Sequence, residues 1–176
     1  MKKFISILLI MLMSCSIIAC GNNSVAGNAE QGKLFSKTEK INKNETVEMK
    51  SEDFQIEFTL TDVVFKDDVY SRSDNSFARY YCDVEGESYI VAKINVKNVG
   101  GETIDYNIFD DMIVTFGDKY SYDMCQLDLE SAVLSEYWSC QPLKTTEIYW
   151  LMSVPDEVKT MGCSISFKVG DVSYKY

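Results

Sequence analysis

From about residue 40 to its end, the chain places apolar residues at every second position, in short runs. Phe54, Ile56, Phe58 and Leu60 alternate with Gln55, Glu57 and Thr59. Ile90, Ala92, Ile94 and Val96 form a second series that ends at Gly100-Gly101. Met112, Val114 and Phe116 run into Gly117-Asp118, followed by Tyr120, Tyr122 and Met124. Ile148, Trp150, Met152 and Val154 stop at Pro155, and Cys163, Ile165, Phe167 and Val169 run into Gly170-Asp171, then Val172, Tyr174 and Tyr176. A period of two is the signature of strands with one face buried and one wet. The two Gly-Asp pairs predict hairpins with two-residue loops. Weaker strands are expected at 45–50 and 103–109. The region from Leu127 to Tyr137 has only loose helical spacing, enough for a short turn. About eight short strands and no long helix indicate an all-β, antiparallel β-sandwich of about seven to nine strands, with a closed barrel as the structural alternative.

Charge and residue usage exclude several functions. The 176-residue chain carries 17 basic and 27 acidic residues and no His, for a net charge of −10. Such a chain repels phosphate backbones, so no nucleic-acid partner is expected. Without His there is no Ser-His-Asp or Cys-His catalysis and no His-ligated zinc. Neither a Gly-x-Ser-x-Gly elbow nor a phosphate-cradling Gly-rich loop occurs, and the expectation is not an enzyme and no cofactor.

The first twenty residues read as an address. Lys2 and Lys3 precede a mostly apolar stretch, residues 4–18. About 15 residues in a helix reach roughly 22 Å, short of a ~30 Å hydrocarbon core. Residues 1–19 therefore read as a cleaved signal peptide. Ile17-Ile18-Ala19-Cys20 resembles the bacterial lipobox, which implies lipidation of Cys20 and cleavage before it; Leu12-Met13-Ser14-Cys15 is a weaker candidate. Acyl chains gain about 0.8 kcal/mol per buried CH₂, so two or three anchor stably. The mature charge would be about −12, since the leader carries two Lys and no acid. Residues 20–39 are small and polar and read as a flexible linker. The domain is expected over 40–176, on the extracytoplasmic face of the membrane.

The order of runs is similar to a known family. Phe58-Thr59-Leu60-Thr61-Asp62-Val63 is followed by Tyr89-Ile90-Val91-Ala92-Lys93-Ile94-Asn95-Val96-Lys97-Asn98-Val99-Gly100, then by Phe116-Gly117-Asp118-Lys119-Tyr120 and Tyr149-Trp150-Leu151-Met152-Ser153-Val154-Pro155. This resembles the small immunoglobulin-like domains of unknown function in secreted lipoproteins of Gram-positive bacteria. The resemblance implies an immunoglobulin-like sandwich and export, and brings no catalytic residues. The chain departs from the antibody pattern, having no Cys…Trp…Cys arrangement. The stretch from Asp123 to Pro142 is richer than a plain loop.

Four cysteines remain after Cys15 and Cys20: Cys82, Cys125, Cys140 and Cys163. An even number in an exported chain suggests two disulfides. Cys125 and Cys140 flank the long loop and are the expected pair, leaving Cys82 with Cys163. A Cys₄ zinc site is not expected, because no Cys-x-x-Cys occurs. Asp67-Asp68, Asp110-Asp111 and Asp123, Asp128 and Glu130 could line Ca²⁺ sites, but no Asp-x-Asp-x-Asp-Gly loop is present, so they read as solvated turns and no metal is expected. The aromatic fraction, 12%, exceeds what a small core needs. Tyr80-Tyr81 and Tyr137-Trp138 lie outside the alternating runs. Most such rings cap the ends of a core; Tyr137 and Trp138 are the candidate ligand contact.

The expectation is a lipid-anchored lipoprotein whose sandwich binds another protein at the cell surface. A carbohydrate- or cell-wall-polymer-binding lipoprotein using exposed aromatics is the alternative, and a purely structural or inhibitor-like envelope component is the third class.

Overall fold

The computed structural model describes residues 38–71, 79–128 and 136–176. The expected signal peptide, the Cys20 anchor and nearly all of the linker lie outside the described residues. Fourteen strands are described: β1 Thr38–Lys40, β2 Thr46–Lys50, β3 Gln55–Lys66, β4 Asp68–Tyr70, β5 Arg79–Tyr81, β6 Glu87–Asn98, β7 Ile104–Asp105, β8 Phe109–Phe116, β9 Tyr120–Asp123, β10 Cys125–Asp128, β11 Ser139–Cys140, β12 Thr145–Pro155, β13 Cys163–Val169 and β14 Val172–Lys175. Short 3₁₀ turns occupy Tyr106–Ile108 and Asp156–Thr160.

Two five-stranded sheets carry the fold, in the orders β1-β14-β13-β8-β9 and β10-β12-β6-β3-β2. Two small ribbons, β4-β5 and β7-β11, are added to them. Every pairing is antiparallel except β1 with β14. The order β3-β6-β12-β10 is the A-B-E-D sheet of an immunoglobulin sandwich, and β14-β13-β8-β9 is its G-F-C-C′ sheet. Seven of these, β3, β6, β8, β9, β12, β13 and β14, fall on the expected alternating runs, and β2 falls on the weaker strand expected at 45–50; β1, β10, β11 and the β4-β5 ribbon are additions. β1 begins two residues inside the segment expected to be linker.

The expected alternation packs the two sheets together. Ile56, Phe58 and Leu60 of β3, Ile90, Ala92, Ile94 and Val96 of β6, and Ile148, Trp150 and Val154 of β12 are buried against Val114, Phe116, Ile165, Phe167 and Val169 of the other sheet. Rings meet edge-on at the centre, with Trp150 and Phe167 centroids 4.7 Å apart and Phe58 and Tyr174 5.1 Å apart. Trp150, the fully buried tryptophan, sits on the E strand. Cys163 opens the F strand, but the B strand presents Ile90, Ala92, Ile94 and Val96 inward, so the antibody-type disulfide has no partner there.

One feature of β3 departs from simple alternation. Its register with β6 shifts between Leu60 and Asp62, leaving Thr61 as an extra residue. This β-bulge changes the phase of the strand. Ile56, Phe58 and Leu60 face the core before it, and Val63 and Phe65 face the same core after it. Were the strand to alternate regularly through Thr61, Asp62 would point inward.

The turns follow backbone chemistry. The β8-β9 turn takes three residues, 117–119, rather than two, with Gly117 and Asp118 both at positive φ and the Lys119 amide donating to the Phe116 carbonyl at 3.1 Å. The β13-β14 turn has the expected two residues, Gly170 and Asp171, with Gly170 at φ +55. The weak strand expected at 103–109 shrinks to β7 and a 3₁₀ turn. The start of the 127–137 region is strand, in β10, and residues 129–135 of the helix candidate lie outside the described residues.

Candidate functional site

The expected contact pair, Tyr137 and Trp138, is split by the structure. Trp138 is only 4% exposed and packs in the core, 6.3 Å from the Phe109 ring. Its indole N–H donates to the Gln126 side-chain carbonyl at 3.2 Å. A buried Trp with a satisfied N–H is a packing residue, so Trp138 is corrected from ligand contact to core. Tyr137 is 65% exposed and stands edge-on to Tyr106, with centroids 4.7 Å apart.

The densest exposed aromatic surface lies elsewhere, on the β4-β5 ribbon. This ribbon is an excursion between β3 and β6. Its register pairs Asp68 with Tyr81, Val69 with Tyr80 and Tyr70 with Arg79. Facing residues in a pair share a side, so one face carries Val69 and the other carries Asp68, Tyr70, Arg79 and Tyr81. Val69 is buried with Val91, Leu127, Tyr149 and Leu151 on the outer face of the β10-β12-β6-β3-β2 sheet. That apolar contact lays the ribbon on the sheet and turns its other face to solvent.

On the solvent face Arg79 is the organising residue. Its guanidinium lies 3.8 Å from the Tyr81 ring centroid and 4.6 Å from that of Tyr70. It is ion-paired to Asp68, and it donates to the Tyr81 hydroxyl oxygen at 2.8 Å. The Tyr70 hydroxyl donates to Asp68 at 3.0 Å. The Arg79 hydrogen bond, with the Tyr70 bond adding to it, holds the Asp68 carboxyl below the ordinary carboxylate range. Desolvation, followed by donation to Asp68, pushes the Tyr70 hydroxyl up. Two rings are thus held by a cation between them while still exposed, Tyr70 by 52% and Tyr81 by 54%. Val84, just beyond the ribbon, is 56% exposed between Asp83 and Glu85. Sequence reading favours Tyr80-Tyr81 as caps on the core, whereas both are exposed. The Arg79 clamp was missed, because its partners are brought together by a hairpin that the sequence does not announce.

All four described cysteines are free thiols, so neither expected disulfide is formed. Cys140 is buried and its thiol donates to the Lys144 carbonyl at 3.1 Å, beside Val96, which pairs with Thr146. Cys125 is exposed and pairs with Leu151. Five residues of β12 separate those positions, roughly 17 Å at 3.4 Å per residue. A disulfide needs Cα atoms within about 7 Å. Cys82 lies with its sulfur 3.2 Å from Ser153 Oγ, on the outer side of one sheet, whereas Cys163 opens β13 in the other and packs toward the core. Burial pushes the Cys163 thiol up, which keeps it protonated.

The acidic pairs are drawn into ion pairs or turns. Asp68 is held by Arg79, and Asp111, at φ +50, pairs with Lys168. Asp67 accepts from the buried Ser88 hydroxyl at 3.3 Å, which also donates to Asp156 at 2.7 Å. Glu130 lies outside the described residues. Among the described residues no group of three or more His, Cys, Asp or Glu side chains is placed to hold a metal ion.

No protein-family model and no curated protein matches the chain. Among solved structures, an uncharacterized beta-sandwich protein from Clostridium difficile 630 aligns over 84% of this chain and 98% of its own length, at 21% identity and a TM-score of 0.66. That likeness makes this a β-sandwich domain. A conserved hypothetical protein from Bacillus anthracis aligns over 70% of this chain and 87% of its own, at 14% identity and a TM-score of 0.47.

Proposed function

We propose that the chain is a membrane lipoprotein, anchored through Cys20 on the extracytoplasmic face, whose immunoglobulin-like sandwich binds another protein at the cell surface. The observation that carries the binding reading is the solvent face of the β4-β5 ribbon. Tyr and Arg are enriched among protein-interface hot spots, and Tyr brings large area at low entropic cost. Here Tyr70 and Tyr81 are already ordered by Arg79, so little freedom is lost on contact. Asp83 and Glu85 beside the exposed Val84, on a chain of net charge −10, favour a partner with a basic rim. The anchoring half of the reading is supported by the basic, apolar, lipobox-like leader. The carbohydrate alternative loses the indole it leaned on, since Trp138 is internal.

Cross-linking on intact cells tests this reading. The full chain is compared with Cys20→Ser, which removes the anchor, and with Tyr70→Ala/Tyr81→Ala. A protein partner should be captured by the full chain, lost without the anchor, and bound at least about 30-fold more weakly by the double variant, the effect of ~2 kcal/mol at a hot spot. Undiminished capture by the double variant would remove the ribbon from the interface. Efficient labelling with no protein captured would overturn protein binding itself.

A further inference from the structure

Independently of that reading, we propose that the cleft against the Tyr106–Tyr137 pair binds a small quaternary ammonium ion of the choline type. The cleft has a volume of about 240 Å³, and both tyrosines line it together with Met112, Gln126 and Glu136. No described Lys or Arg side chain lines it. Sites for drug-sized ligands begin at roughly 300 Å³, so this one suits a small ion.

The β7-β11 ribbon brings the rings together. It pairs Ser139 with Asp105, so Tyr106 and Tyr137, just outside the ribbon, are neighbours. Their centroids are 4.7 Å apart and their planes stand at 90°. Perpendicular rings in edge-to-face contact leave a right-angled corner walled by one face of each, and a sphere resting there touches both. Aromatic faces carry negative potential and attract a cation within about 6 Å of the centroid. Both rings stay accessible, Tyr106 at 37% and Tyr137 at 65% exposed. Glu136, the residue before Tyr137, adds an acidic side chain to the same cleft, and the net charge of −10 draws a cation in.

The lining selects the class of cation. The amide of the wall is already engaged: Gln126 donates to the Tyr106 carbonyl at 2.7 Å, and its side-chain oxygen accepts the Trp138 indole N–H at 3.2 Å. A primary ammonium entering here would give up water at all its N–H groups for little more than one carboxylate, and unmatched donors are costly. A quaternary ammonium has no N–H to satisfy. Its methyl shell gains from contact with the two ring faces and with the Met112 thioether. Glu136 repels anionic ligands from the same space.

The test is a choline titration of the full-length chain in a non-ionic detergent, followed through the methionine ε-methyl spectrum. The Met112 methyl should shift, while that of Met161, exposed outside the cleft, stays in place. The tert-butyl analogue of choline, in which an uncharged carbon replaces the nitrogen, should bind about 5- to 30-fold more weakly, the loss of a partly desolvated cation–π contact. Tyr106→Leu and Tyr137→Leu should each weaken choline binding by about 3- to 10-fold, and Tyr137→Phe, which keeps the ring, should retain it. Tyr120→Leu removes an exposed ring outside the cleft and should change nothing. Glycerophosphocholine separates a free ion from a head group: Glu136 repels its phosphate, so it should bind more weakly than choline at low salt, and the reverse order would overturn the free ion as ligand. A thermal melt checks that the variants fold, and the comparison with the uncharged analogue needs no substitution. Equal binding of that analogue, or an equal loss in Tyr120→Leu, would overturn the site.

Discussion

Two adjacent side chains illustrate how strongly one position differs from the next in this protein. Trp138 fills the end of the core against Phe109 and binds Gln126, while Tyr137 projects to solvent over Tyr106. Trp138→Ala should therefore cost about 3–5 kcal/mol, by cavity formation and the loss of the Gln126 partner. Tyr137→Ala should cost under about 1 kcal/mol. Urea denaturation of both variants checks this, and similar midpoints would contradict the assignment of Trp138 to the core. The sequence paired these residues because neither belongs to an alternating run, and nothing in Glu136, Tyr137, Trp138 or Ser139 indicates which ring turns inward. The direction is set by β11 pairing with β7, two residues long and far away in sequence.

At the scale of the strand, the bulge in β3 makes a sharp prediction. Removing Thr61 restores regular pairing of Leu60 with Ile94 and Asp62 with Lys93, and keeps Leu60, Val63 and Phe65 on the core face. This deletion should fold, losing about 1 kcal/mol for the Thr61 hydroxyl bond to the Lys93 carbonyl. Deleting Asn95 from β6 should abolish folding, because a one-residue slip in a central strand moves every side chain beyond it to the other face. It would drive Lys97 inward and turn Val96 out. Far-UV circular dichroism and thermal melts of the two deletions distinguish these outcomes. The long strands β3, β6, β8, β12 and β13 were legible because each buries one face over several alternations. The β4-β5 ribbon was not, since it is three residues on each side and only Val69 carries its burial. The Arg79 clamp depends on that short element, and sequence spacing alone does not bring its residues together.

The whole molecule is acidic and lacks His, and this shapes its response to pH. Asp62 is held below the ordinary carboxylate range by its hydrogen bond from Lys43, Asp68 by Arg79, and Asp156 by Lys159 and then Ser88. A carboxyl whose folded value is depressed contributes stability that is present above its unfolded value, about 3.9 for Asp. That contribution is lost as pH falls through the depressed folded value. Between pH 8 and about 5 no His titrates, and the net charge of −10 shrinks only as the carboxylates begin to protonate, which relieves self-repulsion. The urea midpoint should therefore be flat or slightly rising from pH 8 to about 5, and should fall steeply below about 4. Asp62→Asn, Asp68→Asn and Asp156→Asn together should lower stability at pH 7 and flatten the acid limb, because the groups responsible for it are gone. A wild-type step centred near pH 6.5 would contradict this account, since no group in the chain with an ordinary His value exists to produce it. An acid limb unchanged in the triple variant would place the acid sensitivity in the overall charge rather than in these three pairs.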